Sequence, residues 1–379
     1  MASVRNIKAE VERLLWGIAA GRCEFEGCNK VLYQHEVTGA SENLAEKAHI
    51  YAVSPGGARF CPDDEGFKNS EKNLMLVCPQ CHVIIDRNEQ EYTPEILFRM
   101  KRKHEERIFK LTSIGAELHS NMVYYTANIA GTHLAVNDGD ARNALALFGR
   151  YPSDCSPIDL GQQGNLVEDN EEDFYTSNAK NLERAVKAKI LDVVSQGASI
   201  ALFSLAPQPL LMLVGRLLND KYNVAVFQCH RRETDKWRWD EPTDHIKFHS
   251  ILPDKPTSTA NIALVFSLSS SIDPERIKSV LGDDVSIYSV TIDLPNRTFV
   301  TNPSIMDEFV SKSREVIEEI KQRHGKEKDI HVFPAMPASL AVRFGMDYMP
   351  KTDNRLIVYD EQAEKGFVYA LSIGGSYDQ

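Results

Sequence analysis

At 379 residues the chain is long for one domain and fits two or three. With 42% hydrophobic and 26% charged residues and no apolar run of bilayer length, it reads as a soluble globular protein without membrane attachment. A formal net charge of −11 excludes a passive nucleic-acid-coating protein, although the charge is uneven: residues 1–110 carry 16 Lys and Arg against 17 Asp and Glu, so almost all the excess acid lies beyond them. The opening "MASVRNIKAEVERLLWGI" is amphipathic and charged, unlike a secretion signal. Seven cysteines are an odd number without framework spacing, which places the chain in a reducing, cytoplasmic compartment, where paired cysteines point to metal.

In chain order, "NIKAEVERLLWGIAAG" predicts an amphipathic helix ending at Gly21. Cys23 and Cys28 follow, then "KVLYQHEV", a predicted strand, and a Gly/Pro/Asp-rich loop, "SPGGARFCPDDEG". "TPEILFRMKRKHEERIFKL" predicts a helix with Thr93 as N-cap and Pro94 in its first turn, closing a first unit at 1–112. Its basic run "RMKRKHEERIFK" is either a solvated face or a phosphate contact. Residues 120–180 hold a predicted strand, "MVYYTANIAG", and an acidic loop, "LVEDNEED".

From 178 onward strands and helices alternate. "NAKNLERAVKAKILDVVSQG", "PLLMLVGRLLND", "DPERIKSVLG", "PSIMDEFVSKSREVIEEIKQRHG" and "SLAVRFGMDYM" predict helices. Between them lie apolar strands: "ASIALFSLAP", "YNVAVFQCH", "NIALVFSLS", "VSIYSVTID", "DIHVFPAMP" and "NRLIVYD". Continuous apolar strands alternating with helices predict parallel sheets covered on both faces. The segment also echoes itself: Pro207 precedes Gly215 as Pro337 precedes Gly345, each between an apolar strand and a second strand. Two related Rossmann-like halves, about 120–250 and 256–379 of a unit spanning 113–379, would produce this, and so would the general likeness of α/β units.

Cys23 and Cys28 form one pair, Cys78 and Cys81 in "NLMLVCPQCHVIID" another. Together they can close a tetrahedral structural zinc site, stapling segments about fifty residues apart, or they can be four buried thiols; Cys61 could swap in as a ligand. Cys155 and Cys229 read as ordinary. If zinc takes four cysteines, His82 is left over beside a ligand. "EKAHIYAVSPGG" holds His49, and Asn73 begins the stretch that ends in His82. Over residues 20–106, "AHI", "NLMLVCPQCH" and the following "IID", with both cysteine pairs, resemble the HNH endonucleases, which have a ββα-metal fold. The resemblance implies His49 as general base, Asn73 fixing the loop and orienting His49 or the metal, and His82 as ligand of one catalytic Mg2+ or other divalent cation. Many HNH enzymes carry an Asp or His ligand where this chain has Ala48. Glu46 or Asp86 could replace it, and Asp86 could instead fix the His82 ring. His35 and His104 read as structural.

Beyond residue 120, "LFSLAPQPLLMLVGRLL", "VFQCHRRETDKWRW" and "HVFPAMPASLAVRFGMDYMPKTDNRLIVYD" resemble the SAVED domain, a cyclic-oligonucleotide sensor built of two fused CARF-like Rossmann halves. HNH followed by SAVED resembles the effector nucleases of the bacterial anti-phage systems called CBASS. The resemblance implies a double-stranded DNA endonuclease, inactive until a cyclic di- or oligonucleotide second messenger binds, and a homo-oligomer that passes from dimer to tetramer or larger on activation. Ligands of parallel sheets bind at the carboxyl ends of strands. The candidate contacts are therefore Ser204, Ala206, Pro207, Ser267, Ser269, Pro334, Ala335, Met336 and Pro337, at strand tips. Arg231 and Arg232 could pair with phosphate, or with Glu233 or Asp235, and Trp237 and Trp239 could stack on bases, or pack in the core. A non-catalytic, zinc-stabilised, ligand-controlled DNA-binding regulator is the competing reading; a phosphodiesterase acting on the messenger ranks third, for want of an activated base at the tips.

Overall fold

The computed structural model describes residues 7–62, 65–132, 134–161, 171–191, 193, 198–219, 222–240, 246–254, 261–362 and 365–374, with only the backbone of 65 and 66. Most of the acidic run at 166–173 lies outside them. The chain divides into two compact units, Met1–Gly115 and Ala116–Gln379. Among the described residues no helix is long and apolar enough to cross a membrane.

The first unit is built on a two-stranded antiparallel ribbon, β1 (Glu46–His49) and β2 (Leu74–Val77), in which Glu46 faces Val77 and His49 faces Leu74. Around it stand α1 (Ala9–Ile18), the short α2 (Glu65–Lys68), α3 (Pro79–Arg87) and α4 (Pro94–Thr112). Leu15, Leu32, Ile50, Leu74, Leu76, Ile85 and Leu97 form the core. A core this small leaves room for a metal staple to contribute folding energy. The strand expected over "KVLYQHEV" does not form. Single bridges, Arg22 to Val31 and Gln34 to Ser41, replace it. The chain turns back at once, with His35 N–H on the Ala40 carbonyl, and leaves Val37 87% exposed, so the apolar run has no sheet to enter.

The basic run on α4 is largely occupied within the unit. Lys101 is buried between Glu105 and Glu24, Lys103 pairs with Glu26, and Arg107 donates to Asn29. His104 is also buried, and its Nε2 donates to the Ala19 carbonyl at 3.1 Å, tying α4 to the end of α1. Burial holds its imidazole below the usual histidine range; the carbonyl opposes this, and nearby Arg107 adds to it. The folded state therefore binds fewer protons than the unfolded state below about pH 6.5, the ordinary histidine value. This contribution to stability is present above that pH and lost as pH falls through it. Thermal melts at about pH 7.5 and about pH 5.5 should show a larger loss of stability on acidification in the natural chain than in His104→Gln.

The second unit holds two sheets. The first contains β3 (His119–Thr126), β4 (Tyr151–Pro152), β5 (Ile158–Asp159), β6 (Ile200–Leu205) and β7 (Val224–Phe227), with α5 (Asp138–Leu147), α6 (Phe174–Lys189) and α7 (Gln208–Leu218) in the same stretch of chain. Its order is β4-β3-β6-β7, with β5 on β3, all parallel. The second contains β8 (Phe248–Ile251), β9 (Asn261–Ser267), β10 (Val285–Ile292), β11 (Ile330–Ala335), β12 (Leu356–Gln362) and β13 (Gly366–Ile373), with α8 (Pro274–Leu281), α9 (Pro303–His324) and α10 (Ala338–Asp347). Its order is β13-β12-β11-β9-β10-β8, parallel through β12, β11, β9 and β10 and antiparallel at both edges. Strand β8 thus belongs to the second sheet, and the expected division near residue 250 moves to before it.

One hydrophobic cluster runs through this unit. Val123 and Leu202 from the first sheet and Leu264 and Phe266 from the second meet on α7 and α10, which pack on each other between the sheets. Smaller clusters cover the outer faces, with Ala141 and Leu145 of α5 on one and Ile277 of α8 on the other. The echo around Gly215 and Gly345 has a steric cause. A methyl on Gly215 would lie 2.0 Å from the Val342 carbonyl oxygen, and one on Gly345 would lie 1.9 Å from that of Met212. Positions 212 and 215 of one helix thus meet 345 and 342 of the other, the reciprocal contact of a pseudo-two-fold axis.

Candidate functional site

The four paired cysteines meet. One sulfur from each of Cys23, Cys28, Cys78 and Cys81 lies within 4.8 Å of the others. Cys28 and Cys78 sulfurs are 3.9 Å apart, close to the roughly 3.8 Å separation of thiolates on a tetrahedral zinc. The Cys78 N–H donates to the Cys23 sulfur at 3.4 Å, a bond that favours a thiolate. Burial pushes the Cys23 thiol up to about 12 and raises Cys81 as well, whereas Cys78, against its burial, is lowered by hydrogen bonds within the group. The donors fit zinc, and the group could hold it. Cys61 is outside the cluster. Elemental analysis of the full chain should find about one zinc, the capacity of one four-cysteine group. Cys78→Ser should lose it and unfold the first unit, while the second keeps its own melting transition.

Immediately past Cys78, α3 begins with Pro79 in its first turn and presents His82 one turn later. The ribbon presents Glu46 and His49 at the two ends of β1. Glu46, His49, His82 and Asp86 line one cleft of about 670 Å3, together with Arg59 and the loop from Ala52 to Ala58. Glu46 Oε2 bonds His82 Nδ1, and Asp86 Oδ2 lies 3.4 Å from His82 Nε2. The carboxylates thus flank opposite sides of the imidazole. Among the described residues only the cysteines bring ligand atoms of three or more such groups within 4.8 Å of one another. Ala48 is buried in the core and offers no ligand, whereas Glu46, two residues back on the same strand, supplies a carboxylate to the cleft.

Asn73 takes a different place from that of a metal ligand. It is fully buried; its Oδ1 accepts the Tyr51 N–H at 2.8 Å, and its Nδ2 donates to the carbonyls of Tyr51 and Lys68 at 2.9 and 3.0 Å. With these bonds its amide is committed to backbone. It pins the turn after His49 to the segment carrying Asn69, whose Oδ1 meets His49 Nε2 at 3.0 Å. With Nε2 donating to that amide oxygen, Nδ1 would be the ring nitrogen that accepts a proton. Asn69 was missed in the sequence. In "FKNSEKN" two asparagines stand four apart, and only spacing to the histidine separates their roles.

In the second unit the tips of the two halves close on each other. Gln208 Oε1 accepts the Met336 N–H at 3.0 Å, and Gln228 Oε1 accepts both the N–H and the hydroxyl of Ser339. Leu268 and Ser269 N–H groups both donate to the Ala335 carbonyl. Ser204, Ala206, Pro207, Ser267, Pro334, Ala335, Met336 and Pro337 are consequently buried, not open to a ligand as their position at strand tips predicted. Trp237 is core: 1% exposed, it packs edge-on against Phe203 at 5.3 Å. Trp239 is half-buried, stacked on Phe227 and nearly perpendicular to the His230 ring. Arg232 pairs with Asp240 at 3.0 Å, not with Glu233 or Asp235. Arg231 is exposed, and Ser269 and Trp239 keep an exposed portion. Sequence reasoning missed Gln208 and Gln228, the polar links between halves; each stands at the end of an apolar run, the one available signal.

Two halves, each with a parallel sheet core, joined through paired central helices make this unit a duplicated α/β module. Residues 182–373 match the family model of SAVED, the "SMODS-associated and fused to various effectors sensor domain". The chain belongs to the SAVED family. Among solved structures it is similar to the Cap4 SAVED/CARF-domain containing receptor of Acinetobacter baumannii with the cyclic trinucleotide 2'3'3'-cAAA, at 11% identity and a TM-score of 0.43, covering 78% of this chain and 62% of that one. The Cap4 receptor of Moraxella osloensis gives 9% identity, a TM-score of 0.39, and coverage of 76% and 60%. This chain therefore spans less than two thirds of those receptors. No curated protein matches it.

Proposed function

We propose that the chain is a metal-dependent, HNH-type endonuclease for double-stranded DNA that a cyclic oligonucleotide switches on, the first unit cutting and the second sensing, as an effector of CBASS anti-phage defence. The observation that carries this reading is the convergence of Glu46, His49, His82 and Asp86 in one cleft, on a ribbon-and-helix frame stapled by four cysteines. His82 with Glu46 would hold a divalent cation, a nitrogen and a hard oxygen suited to Mg2+ or Mn2+. When bound, that cation would stabilise charge growing on the phosphoryl and leaving oxygens. His49 Nδ1 takes a proton from water as the water oxygen bonds to phosphorus and the bond to the departing sugar oxygen breaks. Asn69 holds the ring through Nε2, and Asn73 holds the turn behind it.

The sensor half of the reading rests on membership of a family described as a sensor domain. The accessible contacts for an anionic, base-bearing ligand are Arg231, Arg232, Trp239 and Ser269. The first unit has almost balanced charge, so one copy should hold DNA weakly; assembly on the ligand, from dimer to tetramer or larger, would multiply its contacts. A ligand shared between copies must favour the assembled state by linkage. Light scattering with a panel of cyclic di- and trinucleotides tests this. One panel member should raise the mass at least about twofold, the least change from dimer to tetramer, and a constant mass across ligands that demonstrably bind would refute the assembly step.

A further inference from the structure

The loop between His49 and α2 contains a single buried cation. Arg59 sits in "SPGGARF", and its side chain is only 4% exposed although it lines the cleft. Its backbone has φ +57°, a left-handed conformation that disfavours any residue with a Cβ and would ordinarily select glycine. A strained arginine that is also buried must be held by its bonds, and these are specific. Nε donates to the Ile50 carbonyl at 3.0 Å, Nη1 to the Ile85 carbonyl at 3.0 Å, and Nη2 to Asp86 Oδ1 at 3.1 Å.

These partners lie on the two elements that carry the histidines. Ile50 follows His49 directly, and Ile85 and Asp86 form the last turn of the helix that carries His82. The Ile85 carbonyl is one of the terminal acceptors that an α-helix cannot satisfy internally, and a cation there also suits the negative end of the helix dipole. One planar guanidinium thus joins the end of β1 to the end of α3 through three separate nitrogens, a spread that the single ammonium of a lysine does not reproduce.

We propose that Arg59 is a positioning residue: a clamp that fixes His49 relative to His82 and turns Asp86 toward His82, without touching DNA. The proposal rests on the endonuclease reading for its catalytic consequence, but the clamp itself is a statement about the fold. An arginine in a nuclease cleft has an obvious competing role, direct contact with a substrate phosphate, and burial of this one argues against it.

The test compares the full natural chain with Arg59→Lys and with Arg59→Gly, which accepts the left-handed backbone without strain and so guards against a folding failure. Zinc content by elemental analysis first establishes that the staple is intact. Hydrogen exchange then reads residues 50–60 and 83–88, where both variants should exchange about tenfold faster, the consequence of lost side-chain bonds to those carbonyls. Unchanged exchange in both segments overturns the clamp whether or not the protein cuts DNA. Mn2+ binding by calorimetry should weaken, and kcat for plasmid cleavage should fall, each by about 10- to 100-fold, the usual effect of losing a group that orients ligands, with KM for DNA unchanged. A raised KM with unchanged kcat would identify a phosphate contact and overturn the proposal. Should the natural chain neither cut DNA nor bind Mn2+ through His82, the endonuclease reading fails, and the exchange result still decides the clamp.

Discussion

Gly345→Ala is expected to destabilise the second unit strongly for a change of one carbon. The new methyl would stand 1.9 Å from the Met212 carbonyl oxygen and 3.0 Å from the Arg216 nitrogen, both backbone atoms of α7 that no rotamer change can move aside. The helices must separate, and they lie at the centre of the cluster shared by both sheets. Overpacking a core costs about 1–3 kcal/mol and more where backbone must move, so a loss of about 3 kcal/mol and a fall in Tm of roughly 10 °C are expected. Gly215→Ala should behave alike, because its methyl meets the Val342 carbonyl oxygen at 2.0 Å. The double variant should lose less than the sum, since either methyl alone already parts the same two helices. Calorimetric melts of the three variants check this; additive losses would mean that the two contacts are independent and the reciprocal crossing is misread.

His49→Ala is the second large effect. It should lower plasmid cleavage by about 10³-fold, within the usual contribution of a general base. It should leave the fold in place, because the imidazole is half-buried and the core under the strand is carried by Ala48 and Ile50. Zinc content and ligand-driven assembly should match the natural chain. Asn69→Ala should cost less, about tenfold, because it orients the base without replacing it. Cleavage assays run beside melting curves check both. A folded His49→Ala that cuts at the natural rate would remove the base from its assigned place.

The parallel core of the sheets was legible in the sequence because central strands such as β6, β9 and β11 are continuously apolar and buried on both faces, and are separated by helices with Pro or Asn at their starts. Gly215 and Gly345 were legible as an echo, but not as the place where two helices touch; that requires knowing that both helices share one layer. The cysteine spacing marked out the four sulfurs that meet in the first unit and could hold a metal. What the sequence concealed were contacts made by residues without periodicity. Asn73 and Asn69 look alike in sequence and differ in whether the amide faces backbone or a histidine ring. Arg59 looks like a loop residue until its three acceptors, on two elements, are seen to converge on it. The strand tips misled for a related reason: ends of parallel strands are usual ligand positions, but in a duplicated module two sets of tips can satisfy each other, as Gln208 and Gln228 do here. Trp237 followed its other open alternative, core packing.

In the proposed function, a cyclic oligonucleotide bound by the second unit releases cutting by the first. The most direct measurement is conversion of supercoiled plasmid by the full chain with Mg2+, with and without each member of a panel of cyclic di- and trinucleotides, beside His49→Ala. Intact plasmid is expected without ligand, linear and smaller products with at least one cyclic oligonucleotide, and none with His49→Ala under the same ligand. Cleavage at one rate regardless of ligand, or intact plasmid when zinc-loaded protein is saturated with a cyclic oligonucleotide it binds, would contradict it.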